Sequence, residues 1–333
     1  MPSLLDPLNI KNYTLKNRIV MPPMATELAT EKGKVTDKLI KHYLDRCSGL
    51  GMLIIEHTYI EIQGKYSPRQ LGIYDDELIE GLSKLVKEVK EKCNTVIIIQ
   101  LNHAGGKASS NITGHKPIAP SPIMVPGGTE QPRQMTLADM KRVKNAFKNA
   151  AIRAIKAGFD GVEIHGAHGF LLNQFLSPIT NKRIDAYGGT LAKRMKFPLE
   201  VIEQVRRAIG NKLLLYRLGA DDMMPGGLTI EESRKFAMKL EEYGVDIIDV
   251  SGGLCGSRPE GLTGQGYFVP LAEKIKSVVR VPVIGVGGIR DPKYADEIVR
   301  LGKVDLVAVG RAILENPNWP IKAINELSKQ KRH

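Results

Sequence analysis

Eight short apolar runs, each followed by a stretch with helical spacing, constrain this chain more than any other feature. The runs are Ile19–Met21, Gly51–Glu56, Thr95–Leu101, Gly161–Ile164, Leu213–Leu218, Val245–Val250, Val281–Val286 and Val304–Val309. Nearly every residue in them is apolar, the pattern of parallel strands buried on both faces. Between them lie the helical patterns Lys38–Ser48, Asp75–Lys92, Leu137–Ala157, Lys196–Ile209, Thr229–Tyr243, Phe268–Val278 and Pro292–Gly302, with a last one after Arg311. Thr36, Thr136 and Thr229 stand at helix starts, where a side-chain oxygen can cap free N–H groups. Eight β/α units in 333 residues predict an α/β fold, a TIM (β/α)8 barrel forming a single domain over residues 1–333. An open doubly wound sheet would put a Gly-rich turn after its first strand, whereas this strand ends in Pro22-Pro23-Met24. The segment from His103 to Gln134, rich in Gly and Pro, reads as an elaborated loop after the third strand.

The formal net charge of +12 would suit nucleic acid or an acidic surface. The positive residues are scattered, however, and many alternate with acids, as in Lys84–Lys92. They read as solvated helix faces, so neither nucleic acid nor a membrane is expected as a partner. Three distant cysteines, Cys47, Cys93 and Cys255, contain no CxxC pair. No metal cluster and no disulfide framework are expected, and a reducing compartment follows. Met1 to Arg18 lacks a signal-peptide core, and no apolar run is long enough to span a bilayer, so the expected location is cytoplasmic.

In a barrel of this kind the chemistry belongs at the C-terminal ends of the strands. Read in order, those ends carry Pro23-Met24-Ala25, Glu56-His57, Gln100 with His103, His165 with His168, Arg217, Ser251-Gly252, Gly287-Gly288 and Gly310-Arg311. Glycine turns after the seventh and eighth strands expose backbone N–H groups, and Arg311 adds a guanidinium, a combination suited to phosphate. Arg217 needs an acceptor if it is buried; Asp221 and Asp222 are its nearest carboxylates in sequence. His165 and His168 admit three readings: metal ligands, packing residues, or paired donors to one carbonyl or carboxylate oxygen. A metal would want a third ligand, and HxxH alone is weak support for one, so no metal is expected. Paired donors would act as an oxyanion hole, and that reading is preferred.

Several longer motifs then add a resemblance. They are Lys16-Asn17-Arg18-Ile19-Val20-Met21-Pro22-Pro23-Met24-Ala25, Gln100-Leu101-Asn102-His103-Ala104-Gly105, and His165 through Pro178. Asn181-Lys182-Arg183 with Asp185-Ala186-Tyr187-Gly188-Gly189, and Gly310-Arg311 with Asn316-Pro317, complete the set. Together these resemble the old yellow enzyme family of FMN-dependent ene-reductases over nearly the whole chain. The Pro22-Pro23-Met24-Ala25-Thr26 version looks closest to the barrel domains of 2-enoate and 2,4-dienoyl-CoA reductases.

The resemblance implies non-covalent FMN, with NADH or NADPH as reductant. It implies Pro23, Met24 and Ala25 along the flavin ring, with His57 nearby. Gln100 would meet the pyrimidine edge, and Arg217 the N1–O2 side. Gly287, Gly288, Gly310 and Arg311 would hold the phosphate. His165 and His168 would hold the substrate oxygen, with Phe170 beside it. The implied acceptor is a small molecule: an α,β-unsaturated carbonyl compound, a nitro compound or a quinone. Three positions depart from the family pattern. Phe170 replaces a proton-donating tyrosine, Ala25 replaces Thr or Cys beside flavin N5, and His57 replaces a small residue. Tyr66, Tyr187, Tyr267 and Cys255 are then candidates for the missing proton donor. Two rivals keep the flavin: a weakly active or non-catalytic FMN-binding subunit, and a tRNA-dihydrouridine synthase. The latter would need a cysteine in the loop after the third strand, and Asn102 to Gln134 holds none. A homo-oligomer is left open.

Overall fold

A computed structural model describes residues 2–330. Eight parallel strands close into one barrel. They are β1 (Ile19–Met21), β2 (Met52–Tyr59), β3 (Val96–Asn102), β4 (Gly161–Gly166), β5 (Leu213–Gly219), β6 (Ile247–Ser251), β7 (Val283–Gly285) and β8 (Leu306–Ala308). The order is sequential and closes by pairing β8 with β1. The main helices are α1 (Asp37–Leu44), α2 (Ile79–Lys92), α3 (Leu137–Lys156), α4 (Leu191–Ile209), α5 (Ile230–Glu242), α6 (Val269–Lys276), α7 (Pro292–Arg300) and α8 (Trp319–Gln330). The threonine caps form as expected. Thr36 accepts from Leu39 N, while Thr136 with Asp139 and Thr229 with Glu232 make complete capping boxes. Among the described residues, no helix is long and apolar enough to cross a membrane.

Strand alternation divides the core in two. Ile19, Met21, Leu53, Ile55, Ile97, Ile99 and their counterparts face the helices. Val20, Met52, Ile54, Val96, Ile98, Leu213, Leu215, Ile247, Ile284 and Leu306 fill the barrel interior. A hairpin of Leu8–Ile10 with Tyr13–Leu15, which the strand pattern alone does not reveal, packs Ile10 and Leu15 into that inner core. The apolar filling occupies the N-terminal half of the barrel, which leaves the other end for polar side chains.

Three sequence expectations change. β2 does not stop at Glu56 but continues to Tyr59, with a register shift between Ile55 and Thr58. The polar run Glu56-His57-Thr58 hid its end. α4 starts at Leu191 rather than Lys196 and carries Pro198 inside it. Its first turn is fastened by Arg194, whose guanidinium donates to the Leu176 and Gly189 carbonyls. Lastly, Cys47 and Cys93 form a disulfide, with Cα atoms 6.0 Å apart. Consecutive β/α units lie side by side in a barrel. The turn after α1 therefore meets the C-cap of α2 despite a sequence separation of 46.

Candidate active site

The inward side of β3, β4, β5 and β6 turns polar on passing from the barrel centre to the C-terminal end. Gln100 pairs in register with Glu163, and Asp249 with Arg217. One step further along, His165 lies level with Arg217, and Ser251 with Gly219. Gln100 Nε2 donates to Glu163 Oε1 at 2.8 Å. Arg217 Nε lies 3.2 Å from Asp249 Oδ2, close as an ion pair but not aligned as a hydrogen bond. The partner is thus Asp249, not Asp221 or Asp222. Those two tie loops instead: Asp221 accepts from Met223 N, and Asp222 accepts from Ser177 Oγ and the Leu228 and Leu254 amides. Register decides this, because Asp249 stands beside Arg217 on the next strand and on the same face. Glu163 and Asp249 are fully buried. Burial pushes both carboxyl groups up, most strongly Glu163, and Arg217 partly opposes it.

Above this layer opens a cavity of about 490 Å³. Pro23, Met24, Ala25, His57, Gln100, His165, His168, Phe170, Arg217, Gly287, Gly288, Gly310 and Arg311 all line it. Every residue singled out for cofactor or acceptor therefore faces one space. β4, which ends in the histidines, stands across the barrel from β8, which leads into Gly310-Arg311. The other candidates divide. Tyr66 and Tyr267 line the cavity, whereas Tyr187 and Cys255 do not. Tyr187 bonds Glu200, and the Cys255 thiol, pushed up to about 11 by burial, faces the Asp221 carbonyl. Glu56 binds Thr26 and Tyr43, and His103 binds Glu61. Ser251, one of the strand-end residues, also lines the cavity, and so does Lys107, which the sequence does not single out as a site residue. Only the polarity of Lys107 in a loop marks it, whereas Ser251 is visible as a strand end.

The histidine rings meet edge to face with centroids 5.2 Å apart, and Phe170 lies 4.9 Å from His165. His168 Nε2 and Ser251 Oγ are 2.7 Å apart. His168 takes a positive φ of 56°, an uncommon backbone state for a side-chain-bearing residue. That bend turns the chain at the end of β4, and its N–H is held by the Gly252 carbonyl at 3.1 Å. Burial drives both imidazoles well below their usual range, helped at His165 by His168 and at both by Arg217. Both are neutral at pH 7, and each therefore carries one N–H and one bare nitrogen. Buried His165 Nδ1 has no partner among the described residues. His57 is lowered to about 4 by burial, and the amides of Asn102 and Gln70 approach its Nδ1 at 3.2 and 3.4 Å. Those amides assign its proton to Nε2.

Opposite the histidines, the turn after β7 has Gly287 at φ 127° and Gly288 at φ 65°. A Cβ on Gly288 would lie 2.9 Å from the Gly264 carbonyl and 3.2 Å from Arg311 Nη2. The backbone is bare where the guanidinium looks in. Arg311 donates to Tyr267 Oη at 3.1 Å and makes no ion pair among the described residues. A cation outside any ion pair, beside bare backbone, fits an anion such as the phosphate of FMN. No three His, Cys, Asp or Glu side chains among the described residues come together as a metal site.

The sequence profile of the NADH:flavin oxidoreductase / NADH oxidase family matches residues 3–330. The chain belongs to that family. FMN as cofactor and a reduced nicotinamide as reductant come with this membership. It is 43% identical over 330 residues to an NADH oxidase of Thermoanaerobacter brockii, covering 97% of this chain and 50% of that protein. It thus spans about half the length of that relative. It is also 43% identical over 326 residues to an NADPH dehydrogenase of Geobacillus sp. (strain WCH70), covering 97% of this chain and 94% of the relative. An old yellow enzyme homologue from Zymomonas mobilis superposes with a TM-score of 0.87 at 28% identity, covering 98% and 93% of the two chains.

Proposed function

We propose that this protein takes hydride from NADH or NADPH and passes it, through FMN, to an α,β-unsaturated carbonyl compound, a quinone or a nitro compound. One observation carries the reading. A single cavity joins a bare glycine turn with an unpaired arginine to a pair of neutral imidazoles across the barrel. Gly287, Gly288, Gly310 and Arg311 would hold the FMN phosphate. Pro23, Met24, Ala25, His57, Gln100 and Arg217 would line its ring. When bound, FMN supplies the two-electron relay between nicotinamide and acceptor.

The chain does the rest. His165 and His168 hold the acceptor oxygen by N–H donation and stabilise the negative charge that grows there as hydride adds to the β-carbon. Neutral imidazoles suit this task, because they donate without handing over a proton. Phe170 closes one side of the acceptor space with an apolar ring. Arg217 keeps positive charge beneath it, balanced by Asp249. A cytoplasmic location agrees with a nicotinamide reductant.

Anaerobic mixing with NADH or NADPH tests the reading. Flavin absorbance should bleach, and then return on adding an enone, quinone or nitro compound. Flavin that bleaches with dithionite but with neither nicotinamide would instead mark a binding subunit without turnover.

A further inference from the structure

Phe170 offers the acceptor space no proton, and the cation beside its ring is a lysine. Lys107 ends the short turn Gly105–Lys107 that opens the loop after β3. Its Nζ lies 4.9 Å from the centre of the Phe170 ring and 5.6 Å from that of Tyr66. The same Nζ donates to the His168 carbonyl at 3.1 Å. Lys107 makes no ion pair among the described residues, so two aromatic faces and one carbonyl hold its charge.

Resting on the function proposed above, we propose that Lys107 is the acid that completes the reduction of carbon acceptors. Hydride forms the new C–H bond at the β-carbon, and the π pair moves onto the oxygen held by His165 and His168. The returning electron pair at the α-carbon then takes a proton from the Lys107 ammonium. The amine left behind takes a proton from water. The sum is one hydride from the nicotinamide and one proton from solvent added across the C=C bond.

The surroundings support this assignment. Burial without a carboxylate lowers the Lys107 ammonium below the usual lysine range, which makes it a stronger acid. The titratable groups facing it are Tyr66, His57, His165 and His168. The imidazoles are held neutral, so none competes as a cation. Tyr267 is committed elsewhere: its hydroxyl donates to the Ser257 carbonyl and accepts from Arg311. Tyr66 is the remaining rival, its ring 5.3 Å from Phe170.

The test uses FMN-loaded protein reduced with dithionite, so that it does not depend on the nicotinamide step. Stopped-flow compares reoxidation by 2-cyclohexenone with reoxidation by benzoquinone, which needs no proton on carbon. In Lys107→Met the ratio of enone to quinone rates should fall about a hundred-fold. Lys107→Arg should fall equally, because a guanidinium keeps the charge but does not release its proton. Adding Phe170→Tyr to Lys107→Met should restore the ratio, and flavin content checks that each variant folds. The 13Cε signal of Lys107, assigned by its loss in Lys107→Arg, should titrate below that of free lysine. Retention of the ratio in Lys107→Arg would make the residue an electrostatic aid and overturn the acid role. So would an unchanged ratio in Lys107→Met, a fall seen only in Tyr66→Phe, or a parent protein inert to the enone. Failure of NADH and NADPH to reduce the flavin would count against the proposed function alone.

Discussion

Arg217→Met lowers the stability of the protein by about 3 kcal/mol, and most of that loss returns when Asp249→Asn is added. The expectation follows from burial. Arg217, Asp249 and Glu163 lie inside the barrel with almost no exposure, and the arginine is the cation of the group. Removing one partner of a buried pair leaves the other uncompensated, which typically costs about 3–5 kcal/mol. The single variant should also steepen a pH dependence that the raised carboxyl groups already give the parent. Without the cation, the buried carboxyl groups hold their protons more tightly in the folded than in the unfolded chain. Stability is then greatest below the ordinary carboxylate range, about pH 4, and declines as pH rises. Urea unfolding of parent, single and double variants between acid and neutral pH checks this. Equal stability of Arg217→Met and parent at neutral pH would show that the ion pair contributes nothing.

The second large effect is on ligand binding. His165→Ala combined with His168→Ala should weaken phenolic ligands by at least a hundred-fold while FMN stays bound. Phenolates place a negative oxygen where the acceptor oxygen goes, and each N–H lost to an anion removes about 1.5–3 kcal/mol. The histidines stand on the far side of the barrel from Gly310-Arg311, so the flavin end is untouched. His168 has a positive φ, and alanine is strained there too, so flavin content must be measured alongside. Titration followed by the flavin spectrum gives the affinity. Unchanged phenol binding would remove the oxygen-anchor role.

What the sequence reveals depends on whether a feature is local or set by register. Strand periodicity exposes the barrel, and strand ends point to the histidines and the glycine turns, because each needs only its own neighbours. Arg217 is visible the same way, but its partner is not. Asp249 lies 32 positions away and becomes legible only when both strands are laid in register. The signal is there, since Asp249 is the charged residue of Ile247–Ser251, on the inward alternation shared with Ile247 and Ser251. Lys107 carries no such mark. It belongs to a loop, and its contact with His168 spans 61 positions. Likewise Cys47 and Cys93 are joined by the stacking of neighbouring β/α units, which spacing alone does not show.

The glycine turn and Arg311, as the flavin phosphate cradle, are open to the most direct test. FMN titrated into flavin-free protein, followed by loss of free-flavin fluorescence, provides it. One FMN should bind per chain, with an affinity at least a hundred-fold weaker in Gly288→Val with Arg311→Ala, from about 3 kcal/mol of lost charge-assisted bonding and added backbone strain. Undiminished binding by that variant, at the same stoichiometry, would contradict it.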